Sequence, residues 1–156
     1  MKINKYENYS HRFQDQNRRL THFEKEVWVV CPQCAKQAVT QLQEANKEAR
    51  LNCKHCGYSK QKTMLVEYKE GKYAKLKQPA HAYFKVELWY KASFKKDVFW
   101  AYNPVHLAYL EDYISAKLRE HKDRSHFTLL EKLPKFYHEA KNREGLLKVI
   151  EKLKVK

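Results

Sequence analysis

The feature that most constrains the fold of this chain is a set of four cysteines arranged as two Cys-x-x-Cys pairs. Cys31 and Cys34 form the first pair, Cys53 and Cys56 form the second, and 18 residues separate the pairs. Each pair can fold into a tight knuckle, and two knuckles can direct four thiolates at one tetrahedral ion. The spacing therefore predicts one zinc site with these four cysteines as its ligands.

The predicted zinc is structural rather than catalytic. A catalytic zinc keeps one position open for water or substrate, whereas four thiolates fill the tetrahedron and weaken the Lewis acidity of the ion. A redox role for either pair requires a βαβ context, which the neighbouring segments do not indicate. His55 lies inside the second knuckle and is an alternative ligand, but the four cysteines have the better spacing.

Short β-strands are predicted on both sides of the two cysteine pairs. Apolar and β-branched residues predict strands at 26–30, 37–43, 49–52 and 63–68, with a turn at 46–48. Gly57 directly follows the second pair, where it supplies a residue able to adopt positive φ as the knuckle closes. Together these segments predict a zinc ribbon, which is a small antiparallel sheet held by one ion.

Residues 26–60, which contain both cysteine pairs, resemble the zinc ribbon of the general transcription factor IIB type, which small bacterial proteins also carry. The segments 88–89, 98–103, 106–107, 110–111, 116–119, 133–136 and 140–144 resemble the region that accompanies this ribbon in some stand-alone bacterial proteins. The resemblance implies a bound zinc, a ribbon fold and a partner that can be DNA, RNA or protein. The chain has no Gly-x-x-x-x-Gly-Lys-Ser/Thr phosphate loop, so a helicase motor is not expected.

Residues 79–156 are predicted to form a second lobe with its own core. Apolar and polar residues alternate over 83–94, which predicts a half-buried strand that pairs with a second strand at 98–102. Asn103 and Pro104 are typical of a helix start, and apolar residues at helical spacing follow them. A short helix is expected before Pro134, and Asn142 is expected to cap the last helix.

The predicted fold class is therefore α+β, with an N-terminal four-cysteine zinc ribbon of antiparallel strands followed by a β-hairpin packed with two or three C-terminal helices. The expected divisions are a polar N-terminal arm at 1–24, the ribbon at 25–78 and the hairpin and helical lobe at 79–156. Weak periodicity in the arm is compatible with a short helix, a solvated terminus or a segment that orders on a partner.

The formal net charge of +14 favours a polyanionic partner, of which DNA or RNA is the commonest. Between residues 60 and 77, six lysines accompany two glutamates, and Tyr68 and Tyr73 are interleaved with the lysines. Such a segment can follow a phosphate backbone while its rings stack on bases, although a solvated lysine face explains it equally well. The residues expected to contact nucleic acid are Arg50, Lys54, Lys60, Lys62, Lys72 and Lys75.

Two other kinds of function stay open at this point. The ribbon, or the face that carries Trp89, can dock on a transcription, replication or translation complex as a protein-interaction adaptor. Catalysis is not expected, because no hydrolase, zinc-protease or deaminase signature occurs, but a nuclease site built from dispersed acids leaves no local motif. No small-molecule substrate is predicted.

A cytoplasmic location is expected, with no membrane partner. The chain has no run of about 18 apolar residues, and its first residues lack the apolar core of a secretory signal. In a reducing compartment paired cysteines bind metal more often than they form disulfides.

Overall fold

A computed structural model describes residues 12–14, 16, 18–116, 118–120 and 128–156. The chain divides into two compact units, one spanning Thr21–Tyr90 and the other combining the described residues up to Leu20 with those from Lys91 onward. The fold is α+β, with antiparallel sheets, one two-stranded parallel pair and two α-helices among the described residues. None of the described helices is long and apolar enough to cross a membrane.

The described strands and helices follow in chain order. The strands are β1 (Arg12–Gln14), β2 (Glu26–Val30), β3 (Gln37–Gln43), β4 (Glu48–Asn52), β5 (Ser59–Thr63), β6 (Leu65–Lys69), β7 (Lys72–Lys75), β8 (Tyr90–Phe94), β9 (Asp97–Ala101) and β10 (Leu118–Glu120). The α-helices are α1 (Pro104–Ser115) and α2 (Arg143–Lys154). Short 3-10 helices lie at Leu20–His22, Ala80–Tyr83, Leu130–Lys132, Lys135–Tyr137 and Ala140–Asn142.

In the unit Thr21–Tyr90, strands β2 to β5 form a four-stranded antiparallel meander in chain order. The register places Val27 opposite Thr40, Thr40 opposite Leu51, and Leu51 opposite Lys60. Directly paired residues share a face of the sheet, and Val27, Thr40 and Leu51 are all fully buried. The 3-10 helix at Ala80–Tyr83 packs against β2, β3 and β4, so this face forms the core of the unit.

Strand β6 follows β5 after a single residue, Met64, and pairs with β7 in an antiparallel hairpin. The predicted strand at 63–68 is therefore divided between the end of β5 and most of β6. Met64 is 1% exposed and packs with Ala49 and Tyr83, and it accepts a hydrogen bond from the N–H of Leu76 at 2.8 Å. The base of the β6–β7 hairpin is thus fixed to the core of the unit.

The predicted long strand at 83–94 is wrong over its first half. Tyr83 ends a 3-10 helix, and Lys85 has a left-handed backbone with φ 54°, which interrupts any strand. The next residues cover the free edge of β2: the N–H of Val30 bonds Glu87 O, and the N–H of Trp89 bonds Trp28 O, both at 2.9 Å. The regular strand starts at Tyr90, where the alternation of buried and exposed side chains is observed.

In the second unit, β8 and β9 form the predicted hairpin, and α1 starts at the predicted site. The side chain of Asn103 accepts a hydrogen bond from the N–H of His106 at 2.9 Å, and Pro104 occupies the first helical turn. Helix α1 packs against α2. The buried aliphatic residues that these helices supply to the core are Leu107, Leu110, Ile114, Leu146, Leu147, Ile150 and Leu153.

Asn142 precedes α2 as predicted, but its side chain does not cap the helix. Its amide group donates to Phe136 O at 3.1 Å and to a Glu139 carboxylate oxygen at 3.0 Å. Its Oδ1 accepts from Lys95 Nζ at 2.6 Å. Every polar atom of this buried side chain is therefore engaged by the β8–β9 turn or by the segment before the helix.

The described residues before Leu20 belong to the second unit. Strand β1 pairs in parallel with β10, and Phe13 is 2% exposed, with ring centroids 5.6 Å from Tyr109 and 5.4 Å from Tyr113. The N–H of Leu129 bonds Arg18 O at 2.8 Å. Residues 1–11 of the predicted arm at 1–24, and part of the short helix predicted before Pro134, lie outside the described residues.

Candidate metal centre

Four cysteine side chains meet at one end of the four-stranded sheet. Their Sγ atoms all lie within 4.8 Å of one another, although the two pairs are far apart in sequence. Cys31 Sγ lies 3.7 Å from Cys56 Sγ, and Cys34 Sγ lies 3.6 Å from Cys53 Sγ. Four sulfurs bound at about 2.3 Å in a tetrahedron are about 3.8 Å apart, whereas a disulfide requires about 2 Å. The cysteines are free thiols in an arrangement that fits a tetrahedral metal ion.

The cysteines reach this position because each pair occupies the turn between two sheet strands. Cys31 directly follows β2 and Cys53 directly follows β4, while the residues after Cys34 and Cys56 lead into β3 and β5. A meander places the β2–β3 turn and the β4–β5 turn at the same end of the sheet. The strand register therefore brings together ligands from two distant parts of the sequence.

The two knuckles have the same backbone geometry. In the first, the N–H of Cys31 bonds Lys36 O at 2.8 Å and the N–H of Ala35 bonds Cys31 O at 3.0 Å. In the second, the N–H of Cys53 bonds Tyr58 O and the N–H of Gly57 bonds Cys53 O at the same two distances. Ala35 and Gly57 occupy equivalent positions, with φ of 61° and 78°. The sequence indicated this role for Gly57, and aligning the two Cys-x-x-Cys pairs by their cysteines would have indicated it for Ala35.

The thiols of Cys53 and Cys56 differ in pKa because different groups surround them. Burial raises the pKa of Cys53, but the backbone N–H groups of Cys56 and His55 and the facing thiols outweigh burial and lower it to about 7. The backbone near Tyr58 lowers the pKa of Cys56, yet burial and the other three thiols together raise it to about 12. Protons therefore keep part of this cluster neutral, and a bound cation would replace them.

The described residues add no histidine or carboxylate to the cluster of four cysteines. His55 is exposed in the second knuckle and is not part of it. Four sulfur ligands leave no open coordination position, so the cluster can hold an ion but cannot present that ion to a substrate. The strands that end at the cluster would be clamped by such an ion.

Comparison with known proteins does not add to this assignment. No protein-family model, no curated protein and no solved structure matches the chain. The cluster itself is therefore the basis on which function is considered.

Of the residues expected to contact nucleic acid, three lysines lie near the cluster or on the neighbouring edge strand. Lys54 is exposed within the second knuckle, and Lys60 and Lys62 are exposed on β5. Lys60 lies opposite Leu51 and Lys62 opposite Ala49, so both share the sheet face that carries the core and extend it at its rim. Arg50 lies opposite Gln61 on the other face. The register thus separates Arg50 from Lys60 and Lys62.

The other residues that were expected to contact nucleic acid differ in whether they already form an ion pair within the protein. Arg50 is half-buried, and its guanidinium lies 3.5 Å from a carboxylate oxygen of Glu48. Lys75 Nζ lies 2.5 Å from a carboxylate oxygen of Glu44, and this hydrogen bond lowers the pKa of the Glu44 carboxyl. Lys72 is exposed on β7 and forms no ion pair with another described residue. Lys54, Lys60, Lys62 and Lys72 are therefore the most available cations of the set.

Proposed function

We propose that this protein is a zinc-ribbon protein of the transcription factor IIB type, and that it binds DNA or RNA without catalysing a reaction. One structural zinc would be held by Cys31, Cys34, Cys53 and Cys56. Basic side chains around the ribbon would contact phosphates. The observation that carries the proposal is the combination of the closed four-cysteine cluster with exposed lysines on the adjoining knuckle and edge strand.

Zinc is the metal proposed because four thiolates in a tetrahedron suit a d¹⁰ ion without geometric preference. Iron also accepts four thiolates, so the identity of the ion is tested directly by elemental analysis and absorption spectroscopy of the purified protein. One zinc per chain and a colourless protein is the expected result. One iron per chain would overturn the choice of metal.

The proposed ion contributes to folding because the sheet it clamps is small. The unit Thr21–Tyr90 spans about 70 residues, a size at which a hydrophobic core alone gives marginal stability. In small metal-bound domains, the free energy of metal binding is part of the free energy of folding. The basic surface on β5 is therefore expected to depend on the bound zinc.

Phosphate contacts from lysines supply affinity with little sequence specificity. Lys54, Lys60 and Lys62 have no acidic partner among the described residues, so their charges are available to a polyanion. Each phosphate that they neutralise releases counterions, so affinity should fall steeply as the salt concentration rises.

The test is fluorescence anisotropy with labelled DNA and RNA oligonucleotides between about 50 and about 200 mM salt, the range over which phosphate contacts weaken most visibly. The triple variant Lys54→Ala, Lys60→Ala, Lys62→Ala should bind more weakly and show a shallower dependence on salt. The matched control removes three exposed lysines of the other unit: Lys96→Ala, Lys132→Ala and Lys152→Ala. Equal loss in both variants, or no binding at low salt, would contradict the proposal.

An adaptor function is the second candidate, and the exposed edge of the sheet is the observation that favours it. Among the described residues, no strand pairs with the outer edge of β5. An extended segment of another protein can add to such an edge through backbone hydrogen bonds. A pull-down with and without nuclease distinguishes the two functions, because partners of an adaptor survive nuclease treatment.

A further inference from the structure

The β6–β7 hairpin exposes an unusual amount of aromatic and apolar surface. Every residue from Val66 to Lys77 is exposed, with Tyr68 at 67% and Tyr73 at 61%. No other aromatic side chain among the described residues is exposed to this degree. Val66 and Leu76 add exposed apolar surface to the same segment. Apolar side chains gathered in this way mark interaction sites more often than single exposed ones do.

The rings are presented by a fixed element. Gly71, with φ 70°, closes the turn, and its N–H donates to a Glu67 carboxylate oxygen at 2.8 Å. At the other end, the Leu76 N–H bonds Met64 O, and the Tyr83 hydroxyl donates to Leu76 O. The register shifts between Glu67 and Lys69, so Tyr68 lies in a bulge, which re-aims the side chain. The hairpin is thus closed at its turn and fixed to the rest of the unit at its base, while the side chains of its strands are exposed.

The charge on the hairpin suits an anion. Lys69, Lys72 and Lys77 are exposed, and none of them forms an ion pair with a described residue. Glu67 is engaged by the turn, which leaves Glu70 as the one other carboxylate between residues 65 and 77. Lysines beside exposed rings are the combination that holds a phosphate backbone while bases stack on aromatic faces.

The composition of the hairpin also indicates which nucleic acid it suits. Residues 65–77 contain no arginine or asparagine, and their one glutamine, Gln78, lies just beyond them, so lysine is the one residue type in the hairpin that can read a base edge through paired hydrogen bonds in a duplex groove. A tyrosine ring can stack on a base only when that base is not already stacked between its neighbours. We infer that the β6–β7 hairpin binds single-stranded nucleic acid without sequence preference, through stacking on Tyr68 and Tyr73 and phosphate contacts from Lys69 and Lys72.

This inference rests on the proposed nucleic-acid function, and the experiment separates the two. Anisotropy titrations use a labelled 20-nucleotide poly-dT strand and a mixed-sequence 20-base-pair duplex at equal, moderate salt. Unmodified protein should bind the single strand at least tenfold more tightly. The variant Tyr68→Ala, Tyr73→Ala should lose about 5- to 150-fold in affinity for each ring that stacks, while duplex affinity stays within about twofold.

Two control variants test whether the loss of affinity for poly-dT is caused by the loss of stacking. Tyr68→Phe, Tyr73→Phe keeps both rings and should bind poly-dT within about threefold of the unmodified protein. Val98→Ala, Val105→Ala removes exposed apolar side chains of the other unit and should have no effect. All substitutions lie at exposed positions, and unchanged circular dichroism and metal content verify the fold.

Photocrosslinking gives a second, independent readout. A poly-dT strand that carries one 5-iodouracil should crosslink to the peptide containing Tyr68 or the one containing Tyr73. Crosslinks confined to peptides outside residues 64–77 would overturn the inference.

The other outcomes are equally informative. Equal binding of strand and duplex, with no effect of the alanine variant, would overturn the hairpin inference and leave the proposed function standing. No binding of either oligonucleotide at low salt would overturn both. Binding of poly-L-glutamate that depends on Tyr68 and Tyr73 as strongly as binding of poly-dT would show that the hairpin docks an acidic protein instead.

Discussion

Ala35 and Gly57 stand at the same point of the two cysteine knuckles, and both have a left-handed backbone, with φ of 61° and 78°. Glycine adopts this conformation without a steric penalty, whereas an L-residue with a Cβ pays about 1–2 kcal/mol for it. The first knuckle therefore carries local strain that the second one lacks. The fold tolerates this strain because backbone hydrogen bonds from Cys31 to Lys36 and from Ala35 to Cys31 hold the first knuckle closed.

Replacing Ala35 by glycine should stabilise the metal-bound protein by about 0.5–1 kcal/mol, since the relief of strain exceeds the entropy that glycine adds to the unfolded chain. The reciprocal change, Gly57→Ala, should destabilise by a similar amount. A Cβ at Gly57 meets no atom within 4 Å, so this cost comes from the backbone alone. Urea unfolding of the zinc-loaded protein measures both, and a loss of stability in Ala35→Gly would refute the strain.

Removing the proposed zinc should unfold the sheet of the unit Thr21–Tyr90 and leave the other unit, which contains α1 and α2, folded. Cys31→Ser or Cys53→Ser takes one thiolate from the cluster, so each variant should lose its zinc together with the structure of β2 to β5. Helices α1 and α2 lie in the other unit, which supplies none of the four cysteines. Elemental analysis and circular dichroism test this; zinc near zero in unmodified protein purified without chelator would count against it.

His106 should make the stability of the helical unit fall in mild acid. The ring is 1% exposed, and burial lowers its pKa from the ordinary 6.5 to about 4. Between these values the unfolded chain binds the proton and the folded one does not, so stability present above pH 6.5 is lost as the pH falls. The loss amounts to about 3 kcal/mol by about pH 4.

The matched variant for this prediction is His106→Asn. The asparagine oxygen can replace Nδ1 of His106, which accepts a hydrogen bond from the Tyr102 N–H at 3.1 Å, but it does not titrate. Urea unfolding at several pH values should give a shallower pH dependence in the variant below pH 6.5. Identical slopes in the two proteins would exclude His106 as the source.

Asn103→Ala should lower the free energy of unfolding by about 1 kcal/mol, because the Asn103 side chain is the cap of α1. Asn103→Asp and Asn103→Ser keep an oxygen that can accept from the His106 N–H and should cost less. Urea denaturation followed by circular dichroism measures the series. The order of the variants by free energy of unfolding is the decisive result. An alanine variant as stable as the serine variant would show that the cap contributes nothing.

Gly145→Ala should destabilise the protein even though alanine favours helices by about 1 kcal/mol over glycine. Gly145 lies in α2, and a Cβ there would come within 2.9 Å of the Phe94 ring. That ring is itself stacked on Phe136, with centroids 5.9 Å apart, so it cannot move freely. The double variant Gly145→Ala, Phe94→Leu should recover part of the loss, and a more stable single variant would disprove the clash.

The features that the sequence predicted correctly were those with a local cause or, for the cysteines, a recognisable ligand spacing. Strand β3 has the predicted bounds, α1 begins after its predicted cap, and the four cysteines meet. The errors came from contacts between distant residues. Asn142 has the right identity and position for a cap, but Lys95 and Phe136 engage its side chain. Residues 84–89 alternate as a strand would, yet their backbone groups cover the edge of β2.

The parallel pairing of β1 with β10 and the burial of Phe13 have a consequence for dissecting the molecule. Residues 21–90 form one continuous piece, whereas the other unit draws on both sides of it. A fragment beginning at residue 91 would leave out Phe13 and expose the rings of Tyr109 and Tyr113 that it covers. Without residues 21–90, the unit that contains α1 and α2 would have to be rebuilt from two pieces. A short peptide ending near Leu20 would have to rebind the fragment that begins at residue 91, as in a split-protein complementation.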